Sequence, residues 1–452
     1  MKKTDVLIIG GSAAGIVAAL AGKSNYPEKE FLVIRKEDKV LVPCGIPYIF
    51  GSLGSSDKDV VPDAVLTNKG IKIEVDEVIS IDQNEKVCST AKGTEISFKK
   101  VIFATGSTPT MPGWLKGTNL ENVFTISKDK IQLDRAFQKI KDCKKIVVVG
   151  AGFIGVEMSD ELNKLGKEVT LVEILPHILG LTFDEEIAVQ AEEVLKARGV
   201  KIISGVGVKE IVGDKKVREV LLGDGEKIEA EVVILAMGYR PNTELAQKSG
   251  VKINERGFIK VDGYMRTENP DVFAIGDCAE KWDFITRKPS AVMLASAAVA
   301  EARIAGMNLF MRRSVKTFGG TIAIFSTAIG DIAFAAAGLT ESTARKEGFD
   351  IAVATFEGID KHPGTLASTH KQKVKLIVAK RPGVIIGGEV IGGASTGELI
   401  NIIGLAIQNK MTVCSVLVTQ IGTHPLLTAP PTAYPFIKCA ELIVEKTRSA
   451  YK

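Results

Sequence analysis

The chain has 452 residues, 45% hydrophobic and 25% charged, the balance of a soluble globular protein with room for roughly two to four domains. Its 58 basic and 54 acidic side chains nearly cancel, leaving a net charge of +4, which speaks against a nucleic-acid partner because that needs a one-sided basic footprint. Apolar runs fall short of the ~18 residues a membrane span requires. The scattered Cys44, Cys88, Cys143, Cys278, Cys414 and Cys439 form no CxxC pair, as expected for a reduced cytoplasmic protein rather than a disulfide or zinc scaffold.

The chain opens on "MKKTDVLIIGGSAAGIVAALAG". A basic start followed by an apolar run also describes a secretory leader. Asp5 and the glycine break favour a short buried strand, a turn and an Ala-rich helix instead, the start of a nucleotide-binding βαβ unit. The turn reads Gly10-Gly11-Ser12-Ala13-Ala14-Gly15, with Ser12 where the second glycine of G-x-G-x-x-G belongs. The following strand, "EFLVI", ends at Arg35 and Lys36 rather than at an acid. Next comes "VLVPCGIPYIFG", in which Cys44 stands among apolar residues, glycine and two prolines. Prolines suit a first helical turn, so Pro43 to Pro47 predicts a helix start, and a helix N-terminus lowers a thiol's pKa. The remaining five cysteines are expected to be buried apolar residues.

Pro-rich "GSTPTMPGW" marks a crossover to a second unit. There "KIVVV" runs directly into Gly150-x-Gly152-x-x-Gly155. The first glycine makes the tight turn, the second lets a pyrophosphate approach the backbone, and the third lets helix and strand pack closely. Strand "EVTLVE" ends at Glu173, a carboxylate placed to accept hydrogen bonds from ribose hydroxyls and to repel a 2′-phosphate. That favours NADH over NADPH. Beyond it, "PSAVMLASAAVA" predicts a buried helix and "FMRRSVK" a solvated connector. From about Thr317 the strands "TIAIFST", "DIAVATFE", "KVKLIVAK" and "GVIIGGEVIG" precede a helical "STGELINIIGLAIQNK", an α+β domain of about 130 residues.

Six motifs occur in order: the first glycine turn, "VIFATGSTP", "VVVGAGFIGVE", "VILAMGYRPN", "VFAIGDCAE" and "VMLASAAVAEAR". Over essentially its whole length the chain resembles the FAD-dependent pyridine nucleotide-disulfide oxidoreductases. The resemblance implies an α/β fold of two Rossmann-like three-layer nucleotide-binding domains plus a C-terminal α+β dimerisation domain. Residues 1–115 and 251–316 would form the FAD domain, 116–250 the NAD(H) domain and 317–452 the dimerisation domain of a homodimer. By motif, Gly10, Gly11, Ser12, Ala13, Ala14 and Gly15 would hold the FAD pyrophosphate, with Arg35 at the adenosine ribose. Val78, Ala104, Thr105, Gly106, Gly276, Asp277, Leu294, Ala295 and Ser296 would line the rest of FAD. Gly150, Gly152, Phe153, Ile154, Gly155, Glu173 and Gly238 would line NADH.

Two-cysteine members of the family carry CxxxxC, whereas Ile49 stands five residues after Cys44. The stretch is similar to the single-cysteine branch: coenzyme A disulfide reductases, NADH oxidases and peroxidases, and persulfide or polysulfide reductases. There the cysteine faces the flavin, so Cys44 either attacks a small sulfur substrate or cycles through sulfenic acid to assist oxygen reduction. The peroxidase type places a histidine inside the first glycine turn, and this chain has Ala13. The expected enzyme passes electrons from NADH through FAD and Cys44 to a small disulfide, persulfide or polysulfide. The alternatives are an NADH oxidase and a reductase of a protein partner. His424 in "GTHPLLTAPPTAYPF" is a candidate proton donor, although Ala429 replaces the glutamate that orients it in the two-cysteine enzymes. Tyr434 follows an "APP" stretch like that of coenzyme A disulfide reductases, and Arg312, Arg313 and Lys316 are candidates for meeting coenzyme A phosphates.

Overall fold

The computed structural model describes residues 1–449. Strand Val6–Ile9 is buried along its whole length. It lies in a five-stranded parallel sheet ordered Val272–Ala274, Lys100–Phe103, Val6–Ile9, Phe31–Arg35 and Lys72–Val75. Strands covered on both faces read as unbroken apolar runs, as "VLII" and "VIF" do. The strand Val272–Ala274 returns from far along the chain, so this sheet is assembled from two separated segments. Helices Ala13–Asn25 and Ala295–Met307 pack against each other through small residues. A Cβ on Gly306 would sit 2.7 Å from the Ala18 carbonyl oxygen and 2.9 Å from the Gly22 nitrogen.

A second parallel sheet is inserted between those segments, ordered Val123–Thr125, Val232–Leu235, Lys145–Val149, Glu168–Glu173 and Lys201–Ser204. The antiparallel pair Ser107–Pro109 and Tyr239–Pro241 ties the outgoing crossover to the returning one. The C-terminal unit is an antiparallel sheet ordered Phe325–Ile329, Ile332–Gly338, Ile385–Gly392, Lys371–Ala379 and Ile351–Ile359. Helices Thr396–Gln408 and Pro435–Ser449 pack on it. Ala-rich Ile332–Gly338 is a strand because it is hydrogen-bonded on both sides, which overrides its weak β propensity. The helix expected over "PSAVMLASAAVA" starts only at Ala295, because Pro289–Ser290 pairs with Lys281–Trp282. Among the described residues no helix is long and apolar enough to cross a membrane.

The segment around Cys44 belongs to the first unit by sequence but not by packing. Leu41, Ile46, Ile49 and Phe50 share one apolar cluster with Val156, Met158 and Leu162 of the second unit and with Phe334 and Ala336 of the third. Burial of three such side chains contributes about 5–8 kcal/mol. That burial places Cys44 at a three-way junction.

Candidate functional site

Both glycine turns have the geometry of a phosphate cradle. Gly10 and Gly150 adopt φ of +112° and +96°, a conformation that only glycine adopts readily. A Cβ on Gly15 would overlap the Gly10 carbonyl, and one on Gly155 the Gly150 carbonyl, so each helix seats against its own turn. At Gly152 the space around a Cβ is open within 4 Å, leaving the backbone accessible. Helices Ala13–Asn25 and Phe153–Lys164 begin after Ser12 and Gly152 with no side-chain cap on either. Their first-turn N–H groups are free for an anion. These features fit the pyrophosphates of FAD and of NADH.

The strand ends differ. Glu173 is buried, and its Oε2 and Oε1 accept hydrogen bonds from the N–H groups of Ala151 (2.6 Å) and Leu175 (2.9 Å). A fixed negative charge therefore sits beside the second turn. Arg35, expected beside the FAD ribose, is held by partners within the chain. Its Nη1 and Nη2 donate to the Asp63 carboxylate at 2.8 and 2.9 Å, and its Nε and Nη2 to the Glu37 and Asp38 carbonyls. Four of its five N–H groups are thereby used, and its stem packs over Gly11.

Cys44 lies in the 3₁₀ turn Pro43–Gly45, which runs into helix Ile46–Ile49. It is exposed, five residues from buried Ile49, and unpaired like the other five cysteines. The expectation of a lowered thiol pKa is corrected by the surroundings. Desolvation at the three-way junction pushes the thiol up, and the Glu157, Asp277 and Asp59 carboxylates push the same way against the Lys128 ammonium. A four-residue helix has too few aligned peptides to reverse this. Burial raises Glu157 to about 7, although its hydrogen bond from Thr327 Oγ1 (2.8 Å) opposes the rise. Burial alone lifts Asp59 to about 6. Tyr48 is pushed up by burial and by Glu157.

On the other side of the cleft, Lys128 Nζ donates to Ser107 Oγ (2.8 Å) and Asp277 Oδ2 (3.1 Å), and lies 5.0 Å over the Tyr239 ring. Burial would raise the Asp277 carboxyl, but Lys128 and the Ser107 hydroxyl hold it below its usual range. The "ATG" turn is tied to the "GYRPN" stretch: Thr105 Oγ1 donates to the Asn242 carbonyl (2.5 Å), and the Asn242 N–H to the Gly106 carbonyl (2.9 Å). Gly106, Gly238 and Gly276 all have positive φ. Gly276 is braced from behind, its N–H donating to buried Glu301 (2.7 Å) and its carbonyl accepting from buried Lys281 (2.6 Å). Leu294 is the N-cap of helix Ala295–Met307, which starts with Ala295 and Ser296. Val78 and Ala104 are buried. Phe153 stacks on Phe325 at 5.2 Å, and Ile154 packs beside it against the shared core.

Several candidates fall elsewhere. His424 is on an exposed turn of the C-terminal unit, so one chain does not bring it into the Cys44 group. Tyr434 is buried in the C-terminal core. Arg313 lies over Tyr26 at the C-terminal end of helix Ala13–Asn25, and Arg312 over Tyr264. Thirteen helical residues, or about 20 Å, separate that end from the glycine turn. Cys414 is exposed and Cys143 half-buried, contrary to the expectation of five buried cysteines; Cys88, Cys278 and Cys439 are buried. Tyr48, Asp59, Ser107, Lys128, Glu157 and Thr327 went unremarked in the sequence. For Tyr48 the i, i+4 spacing from Cys44 was a usable signal; Thr327 is brought in only by tertiary contact.

Comparison with known proteins agrees with this arrangement. Residues 4–302 match the family model for pyridine nucleotide-disulphide oxidoreductases, and residues 324–434 match that family's dimerisation domain. An NADH oxidase of Enterococcus faecalis is 31% identical over 440 residues, covering 94% of this chain and 96% of that protein. An NAD(P)H coenzyme A polysulfide/persulfide reductase of Pyrococcus horikoshii is 34% identical over 400 residues, covering 87% and 88%. The solved structure of an NAD-dependent persulfide reductase from A. fulgidus superposes with a TM-score of 0.91 at 28% identity, covering 98% of this chain and 84% of that one. With its two glycine turns, its single cleft thiol and these matches across nearly its full length, the chain belongs to the pyridine nucleotide-disulphide oxidoreductases and is an NAD(P)H-dependent FAD oxidoreductase with the family's dimerisation domain.

Proposed function

We propose that the enzyme uses NADH to reduce a small disulfide, persulfide or polysulfide at Cys44. The observation that carries this reading is an exposed thiol at the junction of the two nucleotide-binding units with no second thiol beside it. Ile49 occupies the position of a resolving cysteine, so the electron pair must leave on an external acceptor. Bound FAD supplies two-electron transfer between the nicotinamide and the thiol. Gly10 to Gly15 would hold its pyrophosphate on free N–H groups, with Arg35 and Val78 shaping the adenosine side. Ala104 to Gly106, Gly276, Asp277 and Leu294 to Ser296 would frame the remainder. Gly150, Gly152 and Gly155 would hold the NADH pyrophosphate, and Phe153, Ile154 and Gly238 its nicotinamide half. The buried Glu173 carboxylate disfavours a 2′-phosphate, hence NADH over NADPH.

The reaction is NADH + H⁺ + RSSR′ → NAD⁺ + RSH + R′SH. Cys44 attacks one sulfur and releases the other as a thiol. The electron pair from NADH then cleaves the mixed disulfide. Six unpaired cysteines support a reducing, cytoplasmic setting. A second reading, reduction of oxygen, is supported by the likeness to the Enterococcus faecalis NADH oxidase. Anaerobic titration with NADH, followed by coenzyme A disulfide, inorganic polysulfide or oxygen, separates the two. The sulfur reading expects rapid reoxidation by a sulfur acceptor in wild type and a loss of at least about 10²-fold in Cys44→Ser. Reoxidation by oxygen alone, equal in Cys44→Ser, would make the protein an oxidase.

A further inference from the structure

The two nucleotide-binding units follow one plan but close their second strands with opposite charges. The Gly10 N–H donates to the Ile34 carbonyl and the Gly150 N–H to the Val172 carbonyl, both at 2.8 Å. That shared hydrogen bond makes Arg35 the counterpart of Glu173, and Gly11 the counterpart of Ala151. In the second unit the strand-end residue is itself the carboxylate, 2.6 Å from the Ala151 N–H. In the first unit the strand ends in an arginine, and the carboxylate comes from Asp63, 28 residues further on. Resting on the assignment of the first glycine turn to FAD, we infer that Asp63, carried by Arg35, is the acid that receives the adenosine ribose hydroxyls of FAD.

The Arg35 stem runs across the glycine turn. A Cβ built on Gly11 would lie 2.7 Å from its Cδ and 3.2 Å from its Cβ. Beyond the turn, Nη1 and Nη2 donate to Asp63 Oδ1 and Oδ2 at 2.8 and 2.9 Å. Nε and Nη2 also donate to the Glu37 and Asp38 carbonyls. The planar fork is thereby fixed in direction, and the carboxylate with it. The Arg35 side chain is 3% exposed and that of Asp63 41%, so the cation is covered while the anion faces outward.

Asp63 is also the N-cap of helix Ala64–Thr67, where an aspartate ordinarily accepts from the helix's own N–H groups. It makes no such cap, and Arg35 is its side chain's one hydrogen-bonding partner among the described residues. A carboxylate gripped by a fork keeps an outer lone pair on each oxygen, and Arg35 Nη1 keeps one N–H. A ribose hydroxyl both donates and accepts, and this pair offers a partner for each. An uncompensated arginine at a strand end instead suits a 2′-phosphate, a group absent from FAD. Asp63 cancels that preference. Arg35 in turn holds the Asp63 carboxyl below its usual range, so it stays ionised.

The test titrates flavin-free enzyme, prepared from the purified protein, with FAD and with an FAD analogue whose adenosine lacks both ribose hydroxyls. Binding is read from flavin fluorescence. Wild type should prefer FAD by about 10–10²-fold. Asp63→Ala should lose most of that preference, binding FAD more weakly but the analogue within about twofold of wild type, because the analogue never makes the deleted contact. Should Asp63→Ala fail to fold around an unpaired Arg35, the double variant Arg35→Met/Asp63→Ala removes the pair together and gives the same comparison. Arg35→Glu/Asp63→Ala returns the acid to the strand end, as in the second unit, and should restore the preference for FAD. The proposal is overturned if wild type binds the two flavins within about twofold of each other, or if removal of Asp63 weakens both by the same factor. In the second case Asp63 merely neutralises Arg35. Wild type that binds neither flavin would overturn the FAD assignment as well.

Discussion

Arg35 ends the strand Phe31–Arg35 beside the first glycine turn, where the related fold calls for an acid. Its guanidinium forks onto Asp63, whose carboxyl is held below its usual value by that hydrogen bond. Arginine suits this duty because the fork binds a carboxylate with two parallel bonds while the stem covers apolar surface. Arg35→Met keeps most of the stem and loses the fork. The expected result is FAD bound about tenfold more weakly, measured by fluorescence of released flavin. An unchanged Kd would mean that only the stem supports the turn. Cys44 was legible from residue type and flanking pattern, as was the missing second cysteine at Ile49. The state of the thiol was not, because Glu157, Asp277 and Lys128 reach it from 84 to 233 residues away in sequence.

At the scale of elements, glycine spacing announced both strand–turn–helix units, since only glycine permits those φ values and close approaches. The helix after Cys44 was anticipated in kind but not in length. It ends at Ile49, too short for its dipole to lower the thiol's pKa. His424 shows a local device that the sequence hid. The N–H of Leu426 donates to its Nδ1 (3.2 Å), and Thr428 Oγ1 accepts the His424 N–H (2.9 Å). With Nδ1 accepting, a neutral His424 carries its hydrogen on Nε2, and the turn orients the ring without the glutamate that Ala429 replaces. Leu426 and Leu427, next in the chain, are exposed as well. We expect His424→Ala to slow disulfide turnover about 10-fold or more while NADH still reduces the flavin at the wild-type rate. Stopped-flow of the two half-reactions checks this, and an unchanged turnover number would remove His424 from the chemistry.

At the scale of the whole molecule, the second unit is fastened to the C-terminal sheet by a charge cluster around buried Lys375. Lys375 lies 2.8 Å from Asp184, 2.5 Å from Glu186, 3.1 Å from Glu341 and 3.7 Å from Glu389. Arg345 also pairs with Glu341, which leaves one ammonium against the other three carboxylates. Burial, with Asp184 alongside, accordingly raises Glu389 from an ordinary 4.5 to about 8. A raised folded-state pKa means stabilisation that is complete below about 4.5 and is lost as pH rises through about 8. Asp184, held low chiefly by Lys375 despite burial, works in the opposite sense and weakens the joint in acid. Between pH 7 and 9 the wild-type Tm should drop by about 3 °C more than that of Glu389→Gln, which stays neutral. Parallel pH profiles in differential scanning calorimetry would contradict this.

By itself the sequence determined what depends on local covalent constraint: two glycine turns after apolar strands, an acid closing the second unit, a cysteine with no second cysteine five residues on, and the order of motifs that identifies the family. Tertiary structure decided what depends on charge and burial summed over distant segments. The buried hydrophobic cluster carried the Cys44 turn onto the second unit, distant Asp63 fixed the Arg35 guanidinium, and Thr327 with Glu157 came from separate domains. Spacing encodes backbone geometry within a few residues, whereas a pKa reflects every charge and every desolvating atom nearby in space, and those neighbours are chosen only when the domains close on one another.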